Sequence, residues 1–398
     1  MSFNNTKGLF TVKNFVFSNP TRIIFGKGSI VEIPKYLPHG SRILMTYGLG
    51  SIKENGVYEQ VHKALANITV FEFGGIESNP RYETCMKAVD IVRKEGIDFL
   101  LAVGGGSVLD GTKFIALALL YTASNDPWDF MAGRKPGPSI AMPIGSVMTL
   151  PATGSEMNSG LVISRESTQE KFGYSSYAVY PKFSILDPEV TYSLPPHQVA
   201  NGIVDTFVHV MEQYMTYPTY APLQDRQAEA LIATIIEEAP KVFADPKNYE
   251  VRASLMWCAT QALNGTISRG MPQDWATHSI GHEITAFFGL DHASTIAIVL
   301  FGLWENQFAN KKAKLAQYGR RIWNLQGDDD IVATGAIAKT EAFFESVGVP
   351  TRFSNYGLNG YEVAEKISLR FAERGLKGIG ERQSVGIEQI RALLAARA

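Results

Sequence analysis

Asp98-Phe-Leu-Leu-Ala-Val103 runs directly into Gly104-Gly105-Gly106-Ser107-Val-Leu-Asp110, and an apolar-periodic stretch follows from Thr112 to Leu120. A short unbroken apolar run that stops at glycines predicts a strand buried on both faces. The glycines predict a tight turn, and the spacing beyond them predicts a helix. Upstream, the pattern repeats. Arg42-Ile-Leu-Met-Thr46 ends at Gly48 and is followed by an amphipathic stretch from Tyr58 to Ala66. Ile68-Thr-Val-Phe-Glu-Phe73 ends at Gly74-Gly75, with a helix expected from Tyr82 to Lys94. Strand, glycine turn and helix repeated in this order imply a parallel sheet with helices on its faces. Ligands of such sheets bind outside the carboxyl ends of the strands, where these glycines lie.

After Pro181-Lys-Phe-Ser-Ile-Leu-Asp-Pro188 the period changes. Leu194-Pro195-Pro196 marks a helix start, since proline is tolerated in a first turn. Beyond it, Asp225 to Glu238 and Val251 to Leu263 carry helical spacing, and strand-like runs are scarce. A chain of 398 residues is also too long for one ordinary core. The expectation is an α/β domain over residues 1–190 and an all-helical domain over residues 191–398.

Composition narrows the class. The chain is 45% hydrophobic and 19% charged, with a formal net charge of −2 from 37 basic and 39 acidic residues that are well mixed. No basic stripe points to nucleic acid. No apolar run reaches transmembrane length, so no membrane partner is expected. Met1-Ser-Phe-Asn-Asn-Thr-Lys7 lacks the basic start and apolar core of a signal peptide. Two cysteines, Cys85 and Cys258, are too few for a disulfide frame or a cysteine-based zinc site and read as buried thiols. The expected setting is cytoplasmic.

Three of the seven histidines fall in Trp275-Ala-Thr-His278-Ser-Ile-Gly-His282-Glu-Ile-Thr-Ala-Phe-Phe-Gly-Leu-Asp291-His292. Asp205-x-x-x-His209 precedes them. Spacing of four places Asp205 and His209 one turn apart on a helix face, and His278 and His282 likewise. A turn at Gly289-Leu-Asp291 brings His292 back towards the helix of His278. A carboxylate with several imidazoles is ligand chemistry for Fe²⁺ or Zn²⁺. A helix-face Asp–His pair alone is an ordinary surface feature; the cluster is what points to a metal. Five candidates exceed the four ligands needed at most, and spacing does not say which histidine is left out.

The glycine turns have two readings each. Gly105, Gly106 and Ser107 open a helix whose N–H groups suit a phosphate, or they form a plain tight turn. Gly48-Leu-Gly50-Ser51-Ile52-Lys53 is a near miss of a dinucleotide fingerprint, with Lys53 in place of the third glycine. No acidic residue occurs from Arg42 through Lys53 to take a free ribose 2′-hydroxyl. Gly48, Gly50, Ser51 and Lys53 suit a 2′-phosphate, which favours NADP over NAD. Thr149-Leu-Pro-Ala-Thr153-Gly-Ser-Glu156 is a hydroxyl-rich turn or the capping box of a helix.

In this order along the chain, these motifs together resemble the iron-containing (group III) alcohol dehydrogenases. The opening Asn19-Pro-Thr-Arg22-Ile-Ile-Phe25-Gly-Lys-Gly and the Tyr47-Gly-Leu-Gly-Ser51 turn are most similar to the NADP-dependent butanol dehydrogenase and broad aldehyde reductase branch. The resemblance implies a dinucleotide-binding α/β domain, a helical metal-binding domain and an active site in the cleft between them. It implies that Asp205, His209, His278 and His292 hold the metal, with His282 beside it near the nicotinamide. It implies that Gly105, Gly106, Ser107 and Asp110 bind the pyrophosphate and nearby ribose. It places Thr149, Thr153 and, through a looser match, Lys171 at the nicotinamide half. A homodimer is also implied. The expected reaction is hydride transfer between NADP(H) and short-chain aldehydes or primary alcohols, with His282 returning a proton to the alkoxide. The rivals are a dehydroquinate synthase-like lyase, a metallohydrolase that activates water, and a cofactor-binding protein without catalysis.

Overall fold

The computed structural model describes residues 10–398, so the opening Met1–Lys7 stretch read above lies outside the described residues. After a two-residue strand β1 (Phe10–Thr11) come β2 (Arg22–Phe25), β3 (Arg42–Tyr47), β4 (Thr69–Phe73), β5 (Phe99–Gly104) and β6 (Ile144–Met148), the hairpin strands β7 (Gly160–Arg165) and β8 (Glu170–Ser175), and β9 (Phe183–Leu186). Six of these form one wholly parallel sheet of order β2-β9-β6-β5-β3-β4.

The apolar run that predicted β5 is explained by its place. All six of its residues are buried, between β3 and β6. Side chains alternate across the sheet. Ile43, Met45, Phe99, Leu101 and Val103 face one core, with Val57 and Val61 of α2 (Val57–Ala64), which follows the short α1 (Ser51–Glu54). Leu44, Leu100 and Ala102 face the other, with Val89 of α3 (Tyr82–Glu95) and Leu109 and Phe114 of α4 (Gly106–Ala118). Each such fully buried large side chain stabilises the fold by roughly 1.5–3 kcal/mol.

Topology positions the ligand ends. From β3 the chain moves outward to the edge strand β4, and then returns to place β5 on the opposite side of β3. Strand order reverses between β3 and β5, the kind of switch point beside which open α/β sheets bind ligands. The turns at Gly48–Ser51 and Gly104–Ser107 leave the carboxyl ends of these two strands.

Trp128, in the one-turn helix α5 (Trp128–Met131), is fully buried, donates its indole N–H to Glu170 Oε2 at 2.9 Å and stacks on Phe172. It packs the α/β core. The remaining helices are α6 (Pro196–Tyr214), α7 (Pro222–Ala244), α8 (Tyr249–Leu263), α9 (Ala276–Phe288), α10 (His292–Asn306), α11 (Phe308–Ile322), α12 (Asp329–Ser346), α13 (Gly360–Glu373) and α14 (Ile387–Ala395). The helix start expected at Pro196 is present.

Two compact units emerge, and they interleave along the chain. The α/β unit comprises Ser18–Val199 with Lys241–Asn264; the helical unit comprises the described residues up to Phe17, Ala200–Pro240 and Gly265–Ala398. This departs from a single division at residues 190/191 in three places, the first being that residues 191–199 stay with the α/β unit. Helix α8 joins the α/β unit because the buried Glu156 takes a hydrogen bond from Thr260 Oγ1 at 2.5 Å. In the helical unit, β1 pairs in parallel with β10 (Thr219–Tyr220), and Ile379 and Val385 form an isolated antiparallel bridge. Cys85 and Cys258 are buried. Among the described residues, no helix is long and apolar enough to cross a membrane.

Candidate metal centre and cofactor turns

Helix α6 carries Asp205 and His209 one turn apart, α9 carries His278, and His292 is the first residue of α10. Gly289 closes α9 with φ +68°, a left-handed conformation that costs glycine nothing and turns the chain back so soon. The result is convergence on one oxygen. The Nε2 atoms of His209, His278 and His292 lie 3.6, 3.9 and 3.7 Å from Asp205 Oδ1. Ligands held at about 2.1 Å in a tetrahedron stand about 3.4 Å apart, close to these separations. Asp205, His278 and His292 have donor atoms all within 4.8 Å of one another. The His209 ring stacks on that of His278 at 4.8 Å and 16°.

His278 shows what the cluster is built for. Its Nε2 is buried without a hydrogen bond, and once deprotonated its lone pair is one that a cation would satisfy. Its Nδ1 lies 3.4 Å from Glu212 Oε2. Burial alone lowers this imidazole, but the Asp205 and Glu212 carboxylates outweigh burial and push it up to about 9. Glu212 also accepts the backbone N–H groups of Thr277 and His278, at 3.3 and 3.4 Å. The sequence reading missed Glu212. Its signal is helical spacing: it stands seven residues after Asp205, on the same face of α6.

His282 stands beside this group, its ring 5.3 Å from that of His292 and 6.3 Å from that of His278. Trp275 adopts φ +63°, a rare conformation for so bulky a residue, and sets its ring edge-on to His278 at 5.2 Å. Its ring also lies 6.2 Å from that of His209. Phe287 instead takes Lys366 and Arg370 on its ring.

In the α/β unit, Gly105 caps α4 and Gly106 and Ser107 form its first turn. The first N–H groups of a helix have no intrahelical acceptor and favour an anion. A Cβ on Gly106 would lie 2.4 Å from Thr153 Oγ1, so glycine is required for the close approach of the two turns. Thr149 N–H donates to the Gly104 carbonyl at 3.0 Å, and Ser155 N–H to Thr153 Oγ1 at 3.2 Å. Only a three-residue 3₁₀ turn, Ser155–Met157, follows, without a side-chain cap, so the capping-box reading fails. Lys171, buried on β8, donates to Asn79 Oδ1 at 2.7 Å, while Asn79 N–H donates to Ser107 Oγ at 3.3 Å. Asn79 thus links the two expected cofactor residues; its signal was the Asn-Pro turn dipeptide at Asn79-Pro80.

Asp110 is hydrogen-bonded within the α/β unit. Oδ1 accepts from Ser155 Oγ at 2.7 Å and Oδ2 from Val162 N–H at 2.9 Å, and burial pushes its pKa up. Lys113, fully buried nearby, donates to Ser155, Asn158 and Gly160, and burial lowers its pKa to about 8. At the first turn, Gly50 has φ +122° and Ser51 begins α1. Gly48 O accepts Gly75 N–H at 2.9 Å.

Residues 20–188 match the family model described as iron-containing alcohol dehydrogenase, and residues 199–397 match its C-terminal counterpart. The chain is 52% identical over 386 residues to a protein of Escherichia coli named NADPH-dependent aldehyde reductase YqhD, covering 97% of this chain and all of that one. It is 41% identical over 391 residues to a probable NADH-dependent butanol dehydrogenase of Bacillus subtilis, again covering 97% and 100%. The crystal structure of the E. coli protein matches with a TM-score of 0.95 over 98% of this chain and 100% of that one. A butanol dehydrogenase structure from Thermotoga maritima, 36% identical, matches with a TM-score of 0.93 over 98% and 100%. Family models covering both halves and a relative above half identity along its full length place the chain in one family: it belongs to the iron-containing alcohol dehydrogenases.

Proposed function

We propose that this protein is a metal-dependent oxidoreductase that transfers hydride between NADP(H) and short-chain aldehydes or primary alcohols. The observation that carries the reading is the convergence of three imidazole nitrogens on Asp205 Oδ1. The names of the aldehyde reductase and butanol dehydrogenase relatives support it, and they do not favour a lyase or a hydrolase. Asp205, His209, His278 and His292 hold one divalent cation, Fe²⁺ or Zn²⁺, a choice that this donor set leaves to metal supply. Bound there, the cation supplies Lewis acidity towards a carbonyl oxygen, and the nicotinamide supplies hydride.

The chain's own residues do the rest. His282, beside His292, holds the proton that the product alkoxide takes up. Gly105, Gly106 and Ser107 offer helix N–H groups to the pyrophosphate, and Thr149, Thr153 and Lys171 order the nicotinamide half. Gly48, Gly50 and Ser51 receive the adenosine ribose and its 2′-phosphate. Asp110, with both oxygens engaged inside the fold, is a positioning residue that fixes Ser155 and the edge of β7. The enzyme acts as a cytoplasmic homodimer in this reading.

The test is oxidation of NADPH by butyraldehyde, followed as loss of nicotinamide absorbance after reconstitution with Fe²⁺ or Zn²⁺. No turnover with either ion overturns the proposal. His282→Ala should keep the metal and bind NADPH but lower kcat and alter its pH profile. Loss of metal from that variant would instead make His282 a ligand.

A further inference from the structure

Beside the first glycine turn lies a cluster that the reaction described so far does not use. Glu72, near the carboxyl end of β4 and paired in register with Met45 of β3, stands about 20 residues beyond the Gly48-x-Gly50 turn. That is the place where dinucleotide sites carry an acidic residue for the ribose 2′-hydroxyl, and where such a charge repels a 2′-phosphate. Glu72 lies beyond Arg42–Lys53, the stretch without acidic residues.

Both Glu72 oxygens are engaged. Oε1 accepts the Tyr58 hydroxyl at 2.6 Å and lies 3.1 Å from His62 Nε2. Oε2 accepts the Tyr47 hydroxyl at 3.0 Å and lies 3.9 Å from Lys53 Nζ. Tyr47 reaches it because its ring crosses Gly74, where a Cβ would sit 2.4 Å from the ring. The Lys53 ammonium rests over the same two rings, 5.0 Å from the Tyr47 centroid and 4.8 Å from that of Tyr58. Partial burial would raise the Glu72 pKa, but the two hydroxyls, His62 and Lys53 hold it below the usual carboxylate range. The carboxylate is therefore ionised, hydrogen-bonded from within and neutralised.

We propose that Tyr47 and Tyr58 determine cofactor selectivity by occupying Glu72, so that Lys53 and not a free carboxylate meets the 2′-substituent of the cofactor. The inference rests on the NADP(H) reading and adds the device that makes a site with an acidic residue tolerate a phosphate. Tyrosine hydroxyls are the active parts. Removing them leaves the rings, the Lys53 stacking and the fold in place while releasing the carboxylate to repel phosphate or accept a ribose hydroxyl.

The experiment titrates wild type, the Tyr47→Phe/Tyr58→Phe double variant and the same variant carrying Glu72→Gln with NADPH and with NADH. Nicotinamide fluorescence reports both Kd values without turnover. The double variant should lose about tenfold in the preference for NADPH over NADH, the size expected for a freed charged group. Glu72→Gln in that background should restore the preference, because the amide carries no charge. A ratio unchanged in the double variant, or lowered and not restored by Glu72→Gln, overturns the proposal. A purely structural role would weaken both cofactors equally and leave the ratio fixed, which also overturns it. Failure of the underlying reading has a different signature: wild type that prefers NADH, or binds neither cofactor.

Discussion

Imidazoles ligate through a lone pair, so which nitrogen carries the proton decides whether His278 can serve a cation. The Glu212 carboxylate at Nδ1 holds a proton there, so Nε2, which faces Asp205, is the nitrogen that gives up its proton to a cation. Glu212→Gln keeps an acceptor for the Thr277 and His278 N–H groups but removes the charge. It should weaken metal affinity by about 10- to 100-fold, measured by competition with a chelator, with little change in the unfolding of the metal-free protein. Affinity equal to wild type would reduce Glu212 to a helix cap. The repeated spacing of four showed Asp205, His209, His278 and His282 from the sequence alone. Glu212 was hidden because a lone glutamate on a helix is ordinary until the histidine it faces, on another helix, is known.

Elements are set by local pattern and joined by contacts that pattern does not show. The strands β3, β4 and β5 and their helices were legible because apolar runs and glycines mark them. The turn after Thr149 was not, since its role depends on Gly106 lying against Thr153. Thr153 is β-branched and stiff, so a methyl group at position 106 must move one turn or the other. Gly106→Ala should cost about 1–3 kcal/mol in stability by overpacking. It should also weaken NADPH binding more than it weakens metal binding, read by fluorescence titration beside metal content. Equal NADPH affinity in the variant would show that the turn does not approach the cofactor.

Across the whole molecule, buried ionisable groups link stability to pH. Lys113 has a pKa lowered by burial to about 8, below its ordinary value in an unfolded chain. Below about 8 both states hold its proton, and the folded state carries the full cost of a buried ammonium. From about 8 up to the ordinary lysine value the unfolded chain holds more protons, so this group's contribution to stability rises with pH. Urea unfolding of wild type and Lys113→Met across that window should show the difference between them growing in favour of wild type as pH rises. A constant difference would mean that Lys113 titrates alike in both states.

Periodicity and turn residues, being local, were enough to determine from the sequence a parallel α/β part followed by a helical part, and to pick out the residues that could bind a divalent ion. They also determined the glycine turns at which the sheet ends. Non-local facts needed the folded chain. Burial of Glu156 against Thr260 carries α8 into the α/β unit despite its place far along the chain. Likewise the tyrosine hydroxyls on Glu72, Glu212 behind His278, and Asp110 turned onto Ser155 are pairings of residues distant in sequence. Spacing along a chain dictates which side chains share a face; only packing decides which faces meet, because buried polar groups must find partners wherever the fold brings them.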